Sequence, residues 1–322
     1  MSLEIPCPNC GVYVNVERFF CLKCGHRLVP LTRYDVTIED FIYPPDRDGL
    51  DALKQVAAIY PIVNKLVLKK YIKSAGSWLS ENAVEVGPSS ELGSMLRECG
   101  LILGLKSIPK AYILRSDEPN AFTFGSDKLQ FLVISSGLLE ILSDRELKAV
   151  IGHELGHIKC DHVVYHTLAE LLTRGILFSS NILGLGLESL SPIFKILLLS
   201  WHRESEVSAD RASLLVVNDP NVIKSLLAKL IIHNDQRRGG KPEVIDDNIV
   251  NSISELFSTH PTYSNRIKML MSYYRSSEYL RVKAKIEKRL KLSKALMPVC
   301  RFCGARKEIT DLFCPKCGRS QL

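Results

Sequence analysis

The chain carries the same cysteine pattern at both ends, and this repeat constrains its architecture more than any other feature. Residues 7–24 read C-x2-C-x10-C-x2-C, and residues 300–317 repeat that spacing. In both copies the second and fourth cysteines precede glycine (Gly11, Gly25, Gly304, Gly318), and the third follows phenylalanine (Phe20, Phe313). A CxxCG unit is a tight turn that aims two thiolates at one point. Its glycine supplies the positive φ that lets backbone N–H groups approach sulfur. Two such units complete a tetrahedral four-cysteine zinc site. Cys7, Cys10, Cys21 and Cys24 are therefore expected to form one structural zinc site, and Cys300, Cys303, Cys314 and Cys317 another. The spacing leaves open an arrangement in which each site draws one unit from each terminus.

Eight of the ten cysteines are used in this way, and only Cys99 and Cys160 lie between the modules. Cys160 reads as a small core residue. The opening MSLEIPCPNC has no basic stretch followed by an apolar run, so no export signal is expected, and metal binding is favoured over disulfides. The net charge of +7 is local: residues 281–322 carry +9, and the other 280 residues sum to −2. The 46% hydrophobic content excludes wholesale disorder and low-complexity architecture.

Between the modules, apolar positions at helical spacing predict a helix over Asp46–Ser74, kinked at Pro61, and another over Ser90–Leu103. Short strands are expected at 111–114, 121–124 and 129–134. Ser143 and Glu146 form a capping box that starts a helix through His157 and beyond. A helix from Ser191-Pro192 should end near Asn218-Asp219-Pro220, residues 237–247 should form a polar loop, and 264–296 a basic helical stretch. The longest uncharged run between residues 170 and 200, Gly175–Leu187, is shorter than the roughly 18–20 residues of a membrane span.

Residues 153–157 read His-Glu-Leu-Gly-His. On a helix, His153 and His157 stand at i and i+4 and project from one face, while Glu154 can address a water at the open fourth position of a bound zinc. A third ligand is offered by the segment RESEVSAD, residues 203–210. Glu206 and Asp210 are again i and i+4, so Glu206 can bind metal while Asp210 accepts a hydrogen bond from a ligand histidine. Arg203, three residues before Glu206, can neutralise surplus carboxylate charge. Glu204 competes for the ligand role but points elsewhere on the helix. His162 and His166, further along the His153 helix, could mimic ligands, but Glu206 leaves no coordination vacancy for them. His26, His202 and His233 read as ordinary histidines.

EPNAFTFG (118–125), FLVISSGLLEIL (131–142), DRELKAVIGHELGHIKCDH (144–162), RESEVSAD (203–210) and HPTYSNR (260–266) stand in the order found in HtpX-like zinc metallopeptidases. The chain resembles that family, which also includes the CAAX prenyl protease, over about 150 residues. The resemblance implies an endopeptidase with a gluzincin fold: α+β, mainly α, with a small mixed or antiparallel sheet whose edge strand binds substrate. Carried over position by position, it implies His153, His157 and Glu206 as ligands of one catalytic zinc. Glu154 would be the general base, with Asp210 supporting a ligand. Asn120, Ala121 and Phe122 would form the strand beside the cleft, and His260 would sit near the substrate carbonyl as an oxyanion donor, with Tyr263 a second candidate.

The expected layout is a zinc ribbon at 1–30, a peptidase domain at 40–296 and a second ribbon at 297–322, with one catalytic and two structural zinc ions. Substrates would be proteins or peptides. The ribbons would recruit substrate or a partner protein, or dock at a membrane surface. Integral-membrane relatives carry clear spans before HExxH and between it and the third ligand. This chain has none before and only a weak apolar region after, which implies a cytoplasmic protein with room for peripheral membrane association. The rival reading is a non-catalytic zinc-ribbon adaptor or nucleic-acid binder on a peptidase-like scaffold. The basic tail supports it, but an intact Glu154 argues against it.

Overall fold

A computed structural model of the protein describes residues 4–7, 10–15, 21–24, 36–57, 68–88, 90–126, 129–173, 192–237, 263–295, 300, 302, 303, 305 and 314–319. The sequence expectations for Pro61, for 175–187 and for the loop over 238–247 lie outside the described residues.

The short strands β1 (Glu4–Pro6) and β2 (Tyr13–Asn15) pair antiparallel in the N-terminal module. Helices α1 (Pro44–Ala57) and α2 (Leu68–Asn82) lead to β3 (Ala83–Glu85), which the sequence reading missed because three residues, two of them exposed, carry no periodicity. Helix α3 (Glu91–Ile102) is capped by Ser90, whose hydroxyl accepts from Gly93 N–H. Strands β4 (Lys110–Leu114), β5 (Ala121–Gly125) and β6 (Gln130–Ser135) lie within a residue of the predicted ones. They form a four-stranded mixed sheet of order β3-β4-β6-β5, in which only β4 and β6 run parallel and β5 is an edge.

Strand β6 divides the core. Leu132 and Ile134 face one cluster with Leu96, Ile151 and Leu155. Phe131 and Val133 face the other, with Leu53, Leu79 and Trp201. Alternation of side chains across a strand places one set on each side, so both sheet faces are covered by helices.

After α4 (Ser136–Ile141) comes α5 (Asp144–Lys159), begun by the expected capping box. Glu146 Oε2 accepts from Ser143 N–H at 2.8 Å, Ser143 Oγ at 2.7 Å and Lys229 Nζ at 2.7 Å, while Oε1 accepts from Ser225 Oγ at 2.8 Å. Burial opposes the charge on Glu146, but Lys229 and the Ser143 and Ser225 donors outweigh it and hold the carboxyl down at about 2. A carboxylate depressed in the folded state adds stability above its ordinary value of 4.5. That contribution fades as pH falls from there toward 2. Urea melts should therefore find Glu146→Gln weaker than wild type by about 2–3 kcal/mol at neutral pH, with the gap narrowing below pH 4.5.

The sequence reading ran one helix through His166. The structure corrects this: α5 stops at Lys159, Asp161 turns to φ 60°, and α6 (Val163–Thr173) starts afresh. The chain then describes α7 (Pro192–Val217), α8 (Pro220–Arg237), α9 (Tyr263–Tyr274) and α10 (Ser277–Ala295). The predicted basic stretch is thus two helices, parted at Arg275-Ser276.

Helices α5 and α7 cross at small residues. A Cβ on Gly156 would stand 2.7 Å from Ala212 Cβ, and one on Gly152 3.1 Å from Ser213 Cα. Only glycine allows so close an approach, and it brings the two helices' polar faces within reach of one another. Among the described residues no helix is long and apolar enough to cross a membrane.

Candidate active site

His153 and His157 leave α5 on the face that meets α7, where Glu206 and Asp210 repeat the one-turn spacing. His153 Nε2 lies 3.2 Å from His157 Nε2 and 3.5 Å from Glu206 Oε2, and His157 Nε2 lies 3.4 Å from Glu206 Oε1. Ligands bonded to zinc at 2.0–2.1 Å in a tetrahedron stand about 3.3 Å apart. The two imidazole nitrogens stand at about that spacing from one another, and each stands at about that spacing from a different oxygen of Glu206. Two imidazoles and a carboxylate with a fourth position open are a donor set suited to catalytic zinc.

Asp210 stands behind His153, with Oδ1 3.1 Å from Nδ1. That contact places the proton of His153 on Nδ1 and leaves Nε2 for a metal. Burial alone would lower His153, but the carboxylates of Asp210 and Glu206 outweigh it and push it to about 10. His157 goes the other way, to about 3, through burial and the neighbouring His153 charge. Glu154 is buried on the next face of α5, and burial together with the Glu206 charge raises its carboxyl. His153, the Thr123 hydroxyl of β5 and Arg266 oppose that rise.

Arg266 was quoted in the sequence reading as part of HPTYSNR but given no role. From α9 its Nε and Nη2 donate to the two carboxylate oxygens of Asp210 at 2.8 and 2.6 Å, and Nη1 lies 3.3 Å from Glu206 Oε2. It supplies the neutralising charge that the sequence reading assigned to Arg203. Arg203 itself acts on Glu204, whose carboxyl burial raises and Arg203 lowers. The signal available was the Arg six residues after His260, but nothing in the spacing tells which carboxylate it meets.

Three histidines read as unremarkable are buried beside the site. His162 Nδ1 is 3.1 Å from His157 Nδ1, and His166 Nε2 is 2.7 Å from Ser205 Oγ. His202 stacks on His166, with ring centres 4.2 Å apart. His260 lies outside the described residues. Asn120, Ala121 and Phe122 lie half-buried at the start of edge strand β5, and Gly125 N–H at its far end donates to Thr167 Oγ1 at 3.2 Å.

Each terminal module gathers its own four cysteines, so the cross-terminal arrangement is not adopted. The Cys7–Cys24 and Cys10–Cys21 sulfurs are 3.7 and 3.5 Å apart, and Cys300–Cys317 and Cys303–Cys314 are 3.7 and 3.6 Å apart. A zinc tetrahedron with bonds near 2.3 Å has edges of about 3.8 Å. Gly11 and Gly318 take the expected positive φ, 71° and 68°, and backbone N–H groups of Phe302, Lys316 and Cys317 approach sulfur at 3.4 Å. These clusters fit zinc ribbons.

A sequence profile described as Peptidase family M48 matches residues 89–273. The chain is 33% identical over 229 residues to the plastoglobule-localized metallopeptidase 48, chloroplastic, of Arabidopsis thaliana, covering 70% of this chain and 63% of that protein. It is 29% identical over 243 residues to a protease HtpX homolog of Methylibium petroleiphilum, covering 66% of this chain and 82% of the relative. Among solved structures, S. mikatae Ste24p aligns over 70% of this chain and 65% of its own, at 18% identity and a TM-score of 0.39, a likeness too low to argue from.

Proposed function

Because the chain belongs to peptidase family M48, a family of zinc metallopeptidases, we propose that it is a zinc-dependent endopeptidase with its active centre at His153, His157, Glu206 and Glu154. The observation that carries this reading is that the Nε2 atoms of His153 and His157 stand 3.2 Å apart and lie 3.5 and 3.4 Å from the two oxygens of Glu206, with Glu154 buried beside them. Zinc held there supplies Lewis acidity, lowering the pKa of a water and polarising the scissile carbonyl.

The protein's own groups do the rest. Glu154, its carboxyl raised by burial, takes the proton of the attacking water and hands it to the leaving amine. Asp210 keeps the His153 ring in register, and Arg266 holds both carboxylates of α7 in place. The free side of β5 at Asn120, Ala121 and Phe122 pairs with the substrate backbone, so that a peptide enters as an added, extended strand. His260 serves as a donor to the developing oxyanion.

The same reading divides the chain into a ribbon at 1–30, a catalytic unit at 40–296 and a ribbon at 297–322. The two ribbons each hold one structural zinc and recruit substrate or a partner protein. Metal analysis tests the layout. His153→Ala should hold one zinc fewer than wild type, keep the zinc of both cysteine modules, and lose cleavage of a peptide library. Equal zinc in the two proteins would remove the catalytic centre from the account.

A further inference from the structure

We infer that His162 and Asp46 form a relay behind His157 that fixes its tautomer and ring orientation, as Asp210 does behind His153. The inference rests on the reading of His157 as a zinc ligand. The contacts of His157 Nε2 with His153 and Glu206 do not explain what holds the far side of that ring.

The relay begins in the way α5 ends. Asp161 takes φ 60°, His162 N–H donates to His157 C=O at 2.9 Å, and Asp161 N–H donates to Ile158 C=O at 3.3 Å. These are the two hydrogen bonds of a Schellman cap, with His157 at C3 and His162 at C″. That motif brings the C″ side chain against the C3 side chain, usually as an apolar pair. Here both are imidazoles, and their Nδ1 atoms meet at 3.1 Å.

The proton count then runs in one direction. A His157 that offers Nε2 to a metal carries its proton on Nδ1. That N–H donates to His162 Nδ1, which must therefore be the bare nitrogen. The proton of His162 then sits on Nε2, and Nε2 lies 3.0 Å from Asp46 Oδ2. The angle there falls outside hydrogen-bond geometry, so the contact is electrostatic before it is directional. Asp46 is fully buried and is itself held by Trp201 Nε1–H on Oδ1 at 2.8 Å and by the Ser208 hydroxyl on Oδ2. His162 is as deeply buried, edge-on to Trp201. A carboxylate on α1 thus reaches the metal centre through two imidazoles.

His157, His162 and His166, and His166, His202 and Glu206, also bring possible ligand atoms within 4.8 Å of one another, but the His166–His202 pair is poorly set for one ion. His166 and His202 stack at 28° with centres 4.2 Å apart. Imidazole lone pairs lie in the ring plane, so stacked rings do not converge on one ion. His166 Nε2 is also taken by Ser205 Oγ, which donates onward to His202 C=O.

The test uses the full zinc-loaded chain. Catalytic zinc is measured by chelator competition as the increment that His153→Ala lacks. His162→Leu keeps an apolar C″–C3 contact for the helix end but removes the acceptor; His162→Gln restores an oxygen acceptor. Loss of an outer partner of a metal ligand typically costs 10–100-fold in affinity, and His162→Leu is expected to show a loss of that size. His162→Gln should recover most of it, and Asp46→Asn should fall between the two. In 15N-edited imidazole spectra, the low-field Nδ1–H of His157 should vanish in His162→Leu and return in His162→Gln.

A folded His162→Leu with wild-type zinc affinity would overturn the inference. So would a His162→Gln no better than Leu, or a wild-type chain holding a further metal among His157, His162 and His166. Should His162→Leu fail to fold, the Gln and Asn variants decide by the same affinity and spectra. If His153→Ala removes no zinc, the metal centre itself is wrong; if it does and the His162 variants do not matter, only the relay is.

Discussion

Glu154→Gln is expected to keep the fold and all its zinc while losing proteolysis by about 10²–10⁴-fold, the range in which general-base catalysis contributes. The substitution is nearly isosteric. Glu154 is buried on α5 and is not one of the three residues, His153, His157 and Glu206, whose ligand atoms converge. Burial and the Glu206 charge raise its carboxyl, which suits a group that must take up a proton near neutral pH. The amide cannot take that proton. Cleavage of a peptide library by wild type and variant, with zinc measured on both, reads the result. Undiminished cleavage would remove Glu154 from the mechanism, and loss of zinc with activity would give it a structural role instead.

Arg266→Ala should be the most damaging single change to stability near the site. Arg266 is the guanidinium that Asp210 and Glu206 share, by two hydrogen bonds to the first and a 3.3 Å contact to the second. Its removal leaves buried carboxylates under-compensated, and breaking one side of a buried ion pair typically costs about 3–5 kcal/mol. Arg266→Lys keeps a charge but not the planar fork, so it should recover only part of the loss. Denaturant unfolding of the metal-free protein is the cleanest readout. A loss below about 1 kcal/mol, the range of a surface pair, would mean that His153 alone neutralises the two carboxylates.

Much of this site was legible from spacing. One helical turn between His153 and His157, and again between Glu206 and Asp210, is enough to put each pair of side chains on a single face, and the two pairs meet as that spacing requires. The capping box at Ser143 and Glu146, the three longer strands of the sheet and the cysteine knuckles rest on equally local rules. What spacing could not tell was which distant charge arrives. Arg203 was favoured for being three residues from Glu206, yet Arg266 reaches the carboxylates from a separate helix. Likewise His162 was placed on the His153 helix because Asp161 gives no glycine-like warning of a left-handed stop. Asp46, more than a hundred residues before His162, had no sequence signal at all.

The crossing of α5 and α7 through Gly152 and Gly156 bears on how the chain experiences zinc scarcity. That crossing is packed by ordinary side chains, so on the proposed reading helix packing would hold His153, His157 and Glu206 in place for the metal. The terminal modules are built differently. Among the described residues the buried core of the N-terminal cluster is Cys7, Val14 and Cys21, and a module that small, holding zinc as proposed, would draw its folding free energy from the metal. On that reading one chain would combine a packed socket for its ion with two ends whose order depends on theirs. If the ends hold zinc and recruit substrate as proposed, falling zinc would switch off catalysis at the centre and at the ends would dissolve the recruiting surfaces.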